Sequence, residues 1–236
     1  NKICYTPSAS YTGSDTFSYK VVDPSGDFAT AEVIFIDKTP PDFEITYSPS
    51  PNATNEDVIA TITLSDGTVT SAGGDTHTFI DNGSFTFTFT DAVGNEGSAI
   101  AEVNWIDKMA PTATVSYSTQ DATNQDVVVT LSPSEPVTVT NNEGTISHTF
   151  AANGEFTFQF VDSAGNEGSA TALVNWIDKT APSYTLSYSP DTLTNQDVVA
   201  TITLSDGTLT SEGDSIHTFT ENGSFTFTFI DAVGNE

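Results

Sequence analysis

The chain is 236 residues long, with five lysines, no arginine and 32 acidic residues, for a net charge of −27. Charged residues make up only 16% of it, against about 25% in ordinary soluble domains, so the acidity comes from missing bases and not from crowded acids. That balance excludes nucleic acid and anionic lipid as partners, because both need Lys and Arg against phosphate, and leaves multivalent cations or solubility in a salty medium as its meaning. The lone Cys4 rules out a disulfide within the chain. No run of about 20 apolar residues reads as a membrane span. The sequence starts and stops in mid-pattern, which leaves room for export or anchoring segments outside it.

In chain order, residues 1–37 form a segment of their own, "YTPSASYTGSDTFSYKVVDPSGDFATAEVIF" from Tyr5. It closes on "IFIDKTPP" at Ile34, a worn copy of "NWIDKMAP" at Asn104 and "NWIDKTAP" at Asn175. Phe35, Trp105 and Trp176 therefore mark a period of about 70 residues, and a fixed period of this size is the signature of a tandem array. The text between the marks repeats too. "TNEDVIATITLSDGT" at Thr54 recurs from Thr123 and Thr194, and "NGSFTFTFTDAVGNEGSA" at Asn82 recurs from Asn153 and, as far as "DAVGNE", from Asn222. The period divides the chain into residues 1–37, 38–107, 108–178 and 179–236, the last without the strand equivalent to Gly97–Asp107.

Within a repeat the pattern is strand after strand. Phe85, Phe87 and Phe89 alternate with Thr86, Thr88 and Thr90; Val58, Ala60, Ile62 and Leu64 form one apolar row, and Ala99, Ala101, Val103 and Trp105 another. Period two with β-branched residues predicts half-buried strands. Turn signals at Asn82-Gly83, Asp66-Gly67 and Gly94-Asn95 separate them. Two antiparallel sheets over a thin aromatic core, a β-sandwich, is the economical solution.

A unit that opens on "DKTAP", runs through "TNQDVVVT" and "NGxFTFxFxDxxGN" and closes on "SAxAxVNWID" resembles the bacterial immunoglobulin-like repeats of very long cell-surface proteins. Residues 1–37 resemble the closing half of the cadherin-like repeats of the same proteins. The resemblance implies an all-β fold of tandem immunoglobulin-like β-sandwiches arranged end to end. It also implies a non-catalytic extracellular stalk at the cell surface, with neighbouring repeats of the same chain as partners. A self-assembling surface-layer or filament subunit, in contact with other copies, is the alternative.

If the topology is immunoglobulin-like, each junction gathers the incoming linker and the loop before the last strand against the foot of the preceding repeat. At the first full junction that brings Asp107, Asp162, Asn166 and Glu167 toward Asn55, Glu56, Asp57 and Asp81. The equivalent positions elsewhere are Asp37, Asp91, Asn95 and Glu96, and Asp178, Asp231, Asn235 and Glu236. Hard oxygens converging from several loops suit Ca²⁺, which takes six to eight of them, so Ca²⁺ is the cofactor expected there. The competing expectations are turn-forming roles for Asp91, Gly94 and Asn95 and a salt bridge from Lys108 that replaces the cation. An isopeptide bond from Lys38, Lys108 or Lys179 to an asparagine on the last strand, with Asn104 and Asn175 as the acceptors, is the weaker alternative to a linker salt bridge. His77, His148 and His217, one per repeat, read as strand residues. No nucleophile turn, phosphate loop or unique carboxylate pair points to catalysis. Pro111 and Pro182 stiffen the way into the next unit. Asn52, Asn82 and Asn222 begin sequons.

Overall fold

The computed structural model describes residues 15–35 and 37–236. Cys4 and the start of the opening segment lie outside the described residues. The chain divides into two compact units: residues 1–109 with 163–166, and residues 110–162 with 167–236.

The first unit begins with a hairpin, β1 (Asp15–Val22) paired antiparallel with β2 (Phe28–Phe35) from Asp15↔Phe35 to Val22↔Phe28. Six strands follow: β3 (Phe43–Ser48), β4 (Val58–Leu64), β5 (Thr68–Val69), β6 (Thr76–Phe79), β7 (Gly83–Thr90) and β8 (Glu96–Val103). They form two three-stranded sheets ordered β3-β4-β6 and β5-β7-β8. This is the A-B-E and C-F-G order of an immunoglobulin sandwich without its D strand. The alternation read from the sequence sets which side faces in. Val58, Ala60, Ile62, Phe79, Phe87, Phe89, Ala99, Ala101 and Val103 are all buried in one core, while Thr86 and Thr88 face solvent.

The second unit repeats this order with β9 (Ala113–Tyr117), β10 (Val127–Pro133), β11 (Thr138–Val139), β12 (Ser147–Phe150), β13 (Gly154–Val161) and β14 (Glu167–Val174), in sheets β12-β10-β9 and β11-β13-β14. Val127, Val129, Leu131, Phe150, Phe158, Phe160, Ala172 and Val174 fill its core. It continues into β15 (Tyr184–Ser189), β16 (Val198–Leu204), β17 (Thr208–Leu209), β18 (Ile216–Phe219) and β19 (Phe229–Ile230), in sheets β15-β16-β18 and β17-β19. The phenylalanine alternation at Phe225 and Phe227 predicts a long strand here, yet only Phe229 and Ile230 carry ladder pairing. Among the described residues no last strand lies beside them, and a strand exists only through its pairing.

Candidate functional site at the repeat junctions

The linker phrase is built into the fold. In the first unit Ile106 makes a parallel bridge with Thr54: the Thr54 N–H donates to the Trp105 carbonyl at 3.1 Å, and the Asp107 N–H donates to the Thr54 carbonyl at 2.9 Å. On the other edge of the linker, the Ile106 N–H donates to Asn82 Oδ1 and Asn82 Nδ2 donates to the Ile106 carbonyl, each at 2.8 Å. Lys108 Nζ then reaches Asp57 Oδ1 at 2.6 Å and the Ile80 carbonyl at 2.7 Å. The second unit repeats the arrangement: Thr123 to Trp176 at 3.1 Å, Asp178 to Thr123 at 2.8 Å, Asn153 and Ile177 at 2.8 Å both ways, and Lys179 to Asp126 at 2.6 Å. The lysine is thus a linker ion pair, as the salt-bridge reading expected.

The tryptophan ahead of each linker anchors it. Trp105 meets Tyr47 edge-on at 5.2 Å, and Trp176 meets Tyr117 at 5.3 Å. Both tyrosine hydroxyls accept a backbone N–H of the last strand at 3.2 Å, from Glu102 and from Leu173. The indole N–H of Trp105 and of Trp176 is buried without an acceptor among the described residues.

The acidic residues expected at the junctions fall into two kinds. Asp91 and Asp231 organise their own loops. Asp91 Oδ1 accepts the Val93 N–H at 2.9 Å and the Asn95 N–H at 2.8 Å, while Oδ2 accepts Asn95 Nδ2 at 2.7 Å. Asp231 does the same with Val233 and Asn235. Gly94, at φ +94°, closes the first loop in the left-handed region that favours glycine. Burial pushes the Asp91 carboxyl up, but the bonds from Asn95, Val93 and Gly94 outweigh it and hold the pKa below its ordinary 3.8; Asp231 is lowered in the same way. Asp37, Asp107 and Asp178 are turn formers of a second sort, each Oδ1 accepting the N–H two residues on.

Three asparagines differ in task. Asn166 Nδ2 donates to the Asp107 carbonyl at 2.9 Å, with the Ala164 carbonyl accepting the Asn55 N–H at 3.1 Å beside it, so Ser163–Asn166 are counted with the first unit. Asn235 Nδ2 donates to the Asp178 carbonyl at 3.0 Å within the second unit, where Gly234 sits against Asn124. Asn95 bonds within its own loop. Asp162 is buried, and Glu96, Glu167 and Glu236 are exposed at or just before the last-strand position. The expected gathering of Asn166 with Asp107, and of Asn235 with Asp178, is present; it is made by amide nitrogens on carbonyls.

Sequence reasoning missed Asn82 and Asn153, taken as turn residues. The signal was their fixed distance from the linker, 24 positions in both units. The histidines lie on strands: His77 stacks on Phe85 at 3.8 Å and meets Phe79 edge-on at 4.7 Å, and His148 and His217 repeat this.

Residues 1–36 match the family model described as Bacterial Ig domain. That match covers the opening segment of the chain, and the units after it repeat one another in sequence. No curated protein matches. Among solved structures the chain is similar to one described as "Crystal structure of tetra-tandem repeat in extending region of large adhesion protein", at 20% identity and a TM-score of 0.29, over 94% of this chain and 71% of that one. No helix among the described residues is long and apolar enough to cross a membrane.

Proposed function

We propose that the chain is a non-catalytic spacer of a long bacterial cell-surface adhesin, lying outside the cell. In this reading it comprises repeats 38–107, 108–178 and 179–236 after a closing half-repeat of cadherin-like kind at 1–37. The observation that supports this is the linker bonded on both edges, twice, with nearly the same distances. A Gly/Ser link of the same length is a random coil; a link held by backbone, carboxamide and lysine is fixed on the repeat that precedes it. A joint made more than once suits a spacer, which needs many, and not an active site, which is needed once. Scattering from the full chain tests it: Asn82→Ala with Asn153→Ala is expected to broaden the distribution of interatomic distances relative to the parent. Identical profiles would contradict the reading.

Calcium belongs to the proposal as a second stiffener. The donors are hard oxygens of the right kind, and at the junction within the second unit Asp178 and Glu236 would hold the ion. Asp231 is less suited, with three donors already on its carboxylate. A bound cation would neutralise acidic loops that otherwise repel. Calorimetric Ca²⁺ titration of the full chain, with unfolding scans in calcium and in chelator, separates the outcomes. Saturable heat with a raised unfolding temperature supports the ion. No heat and superimposable scans remove calcium and leave the docked linkers as the source of stiffness.

A further inference from the structure

Each Asn-Gly pair ahead of the long strand joins a chemical liability to a structural bond. The Asn82 carboxamide grips one residue, Ile106, through both its donor and its acceptor. Asn153 grips Ile177 in the same way. With Thr54 or Thr123 on the opposite edge, the carboxamide stands in for a missing strand. A carboxylate cannot replace it, because an ionised carboxylate only accepts hydrogen bonds.

The glycine that follows is not demanded by the fold. Gly83 and Gly154 open β7 and β13, and neither has a left-handed φ. A Cβ on Gly83 would meet nothing within 4 Å, and one on Gly154 only Phe150 Cε1 at 4.0 Å. Glycine also weakens a strand. What it supplies is an unhindered backbone nitrogen beside the carboxamide, the setting in which asparagine loses ammonia most readily.

We propose that Asn82-Gly83 and Asn153-Gly154 are deamidation sites that react only after their linker opens, and whose product prevents the linker from closing again. The Gly83 nitrogen attacks Asn82 Cγ and loses its proton; the bond from Cγ to the amide nitrogen breaks and ammonia leaves. Water then opens the resulting succinimide to aspartate or isoaspartate, so water is the sole co-reactant. In the docked linker both carboxamide atoms are tied, and turning Cγ toward the Gly83 nitrogen would break both bonds. After reaction an acceptor oxygen faces the Ile106 carbonyl where Nδ2 had donated. The inference does not depend on the spacer reading.

The molecule carries its own control. Asn222-Gly223-Ser224-Phe225 repeats Asn82-Gly83-Ser84-Phe85, and among the described residues nothing bonds the Asn222 carboxamide. The full chain, incubated at mildly alkaline pH and mapped by peptide mass spectrometry, is expected to convert Asn222 about tenfold or more faster than Asn82 and Asn153, because the docked sites react only through local opening. Denaturant should bring Asn82 up to the Asn222 rate. Equal rates at Asn82 and Asn222 in the folded chain would overturn the proposal. Asn82→Asp should speed amide exchange at Ile106 and Asp107 by about tenfold while β7 stays unchanged; unaltered exchange would overturn the claim that the product blocks closing. If Asn82→Asp does not fold, the rate comparison in the parent chain still decides.

Discussion

Asp91 and Asp231 tie acid sensitivity to single carboxyls. Each has a folded pKa below its ordinary 3.8, so near that pH the unfolded state binds more protons than the native one and stability rises with pH. Their contribution is therefore present at neutral pH and is lost as pH falls through the ordinary carboxylate value toward the lowered folded one. Unfolding scans below pH 5 are expected to show a shallower acid limb for Asp91→Asn with Asp231→Asn than for the parent. The Lys108–Asp57 pair is half-exposed, and Lys108→Ala is expected to cost about 0.2–1 kcal/mol in denaturant titration. The Asp-Gly-Asn turn was legible in the sequence because its chemistry is local. The grip of Asn82 on Ile106 was not, because it joins residues 24 positions apart, and a spacing that recurs in both units does not by itself say that the two residues touch.

At the scale of the element, the apolar alternation decides the sheets. Phe87 and Phe158 are fully buried, and Phe87→Ala is expected to cost about 3–5 kcal/mol in the first unit, read as a shift in its denaturant midpoint. Gly97 lies directly opposite Phe89, whose ring crosses the place a Cβ would occupy. Gly97→Ala must therefore displace Phe89 and should lower the unfolding temperature, whereas Gly83→Ala should not. The long strands were legible because period two runs through eight residues of β7 and β8. The two-residue strands β5, β11 and β17 were not, since two residues carry no period and their place is fixed only by pairing with β7, β13 and β19. The tyrosines whose setting the sequence left open are partly buried against tryptophan at Tyr47 and Tyr117, and 52% exposed at Tyr188, which has no such tryptophan beside it among the described residues.

For the whole molecule, a net charge of −27 with five lysines sets long-range self-repulsion against cores as thin as these. Monovalent salt screens that repulsion over about 10 Å at 0.1 M, so the unfolding temperature is expected to rise with ionic strength even without divalent ions. The array itself was legible from its period, and so was the presence of something special in the linker phrase. What could not be read is that the phrase is part of the preceding sandwich, because its partners are backbone groups whose placement only the fold supplies. The central claim is that the linkers are docked and not free. Amide hydrogen exchange at Ile106, Asp107, Ile177 and Asp178 tests it most directly: docked linkers predict protection comparable to that of β7 and β13. Exchange of these four amides at the rate of an open loop would contradict the account.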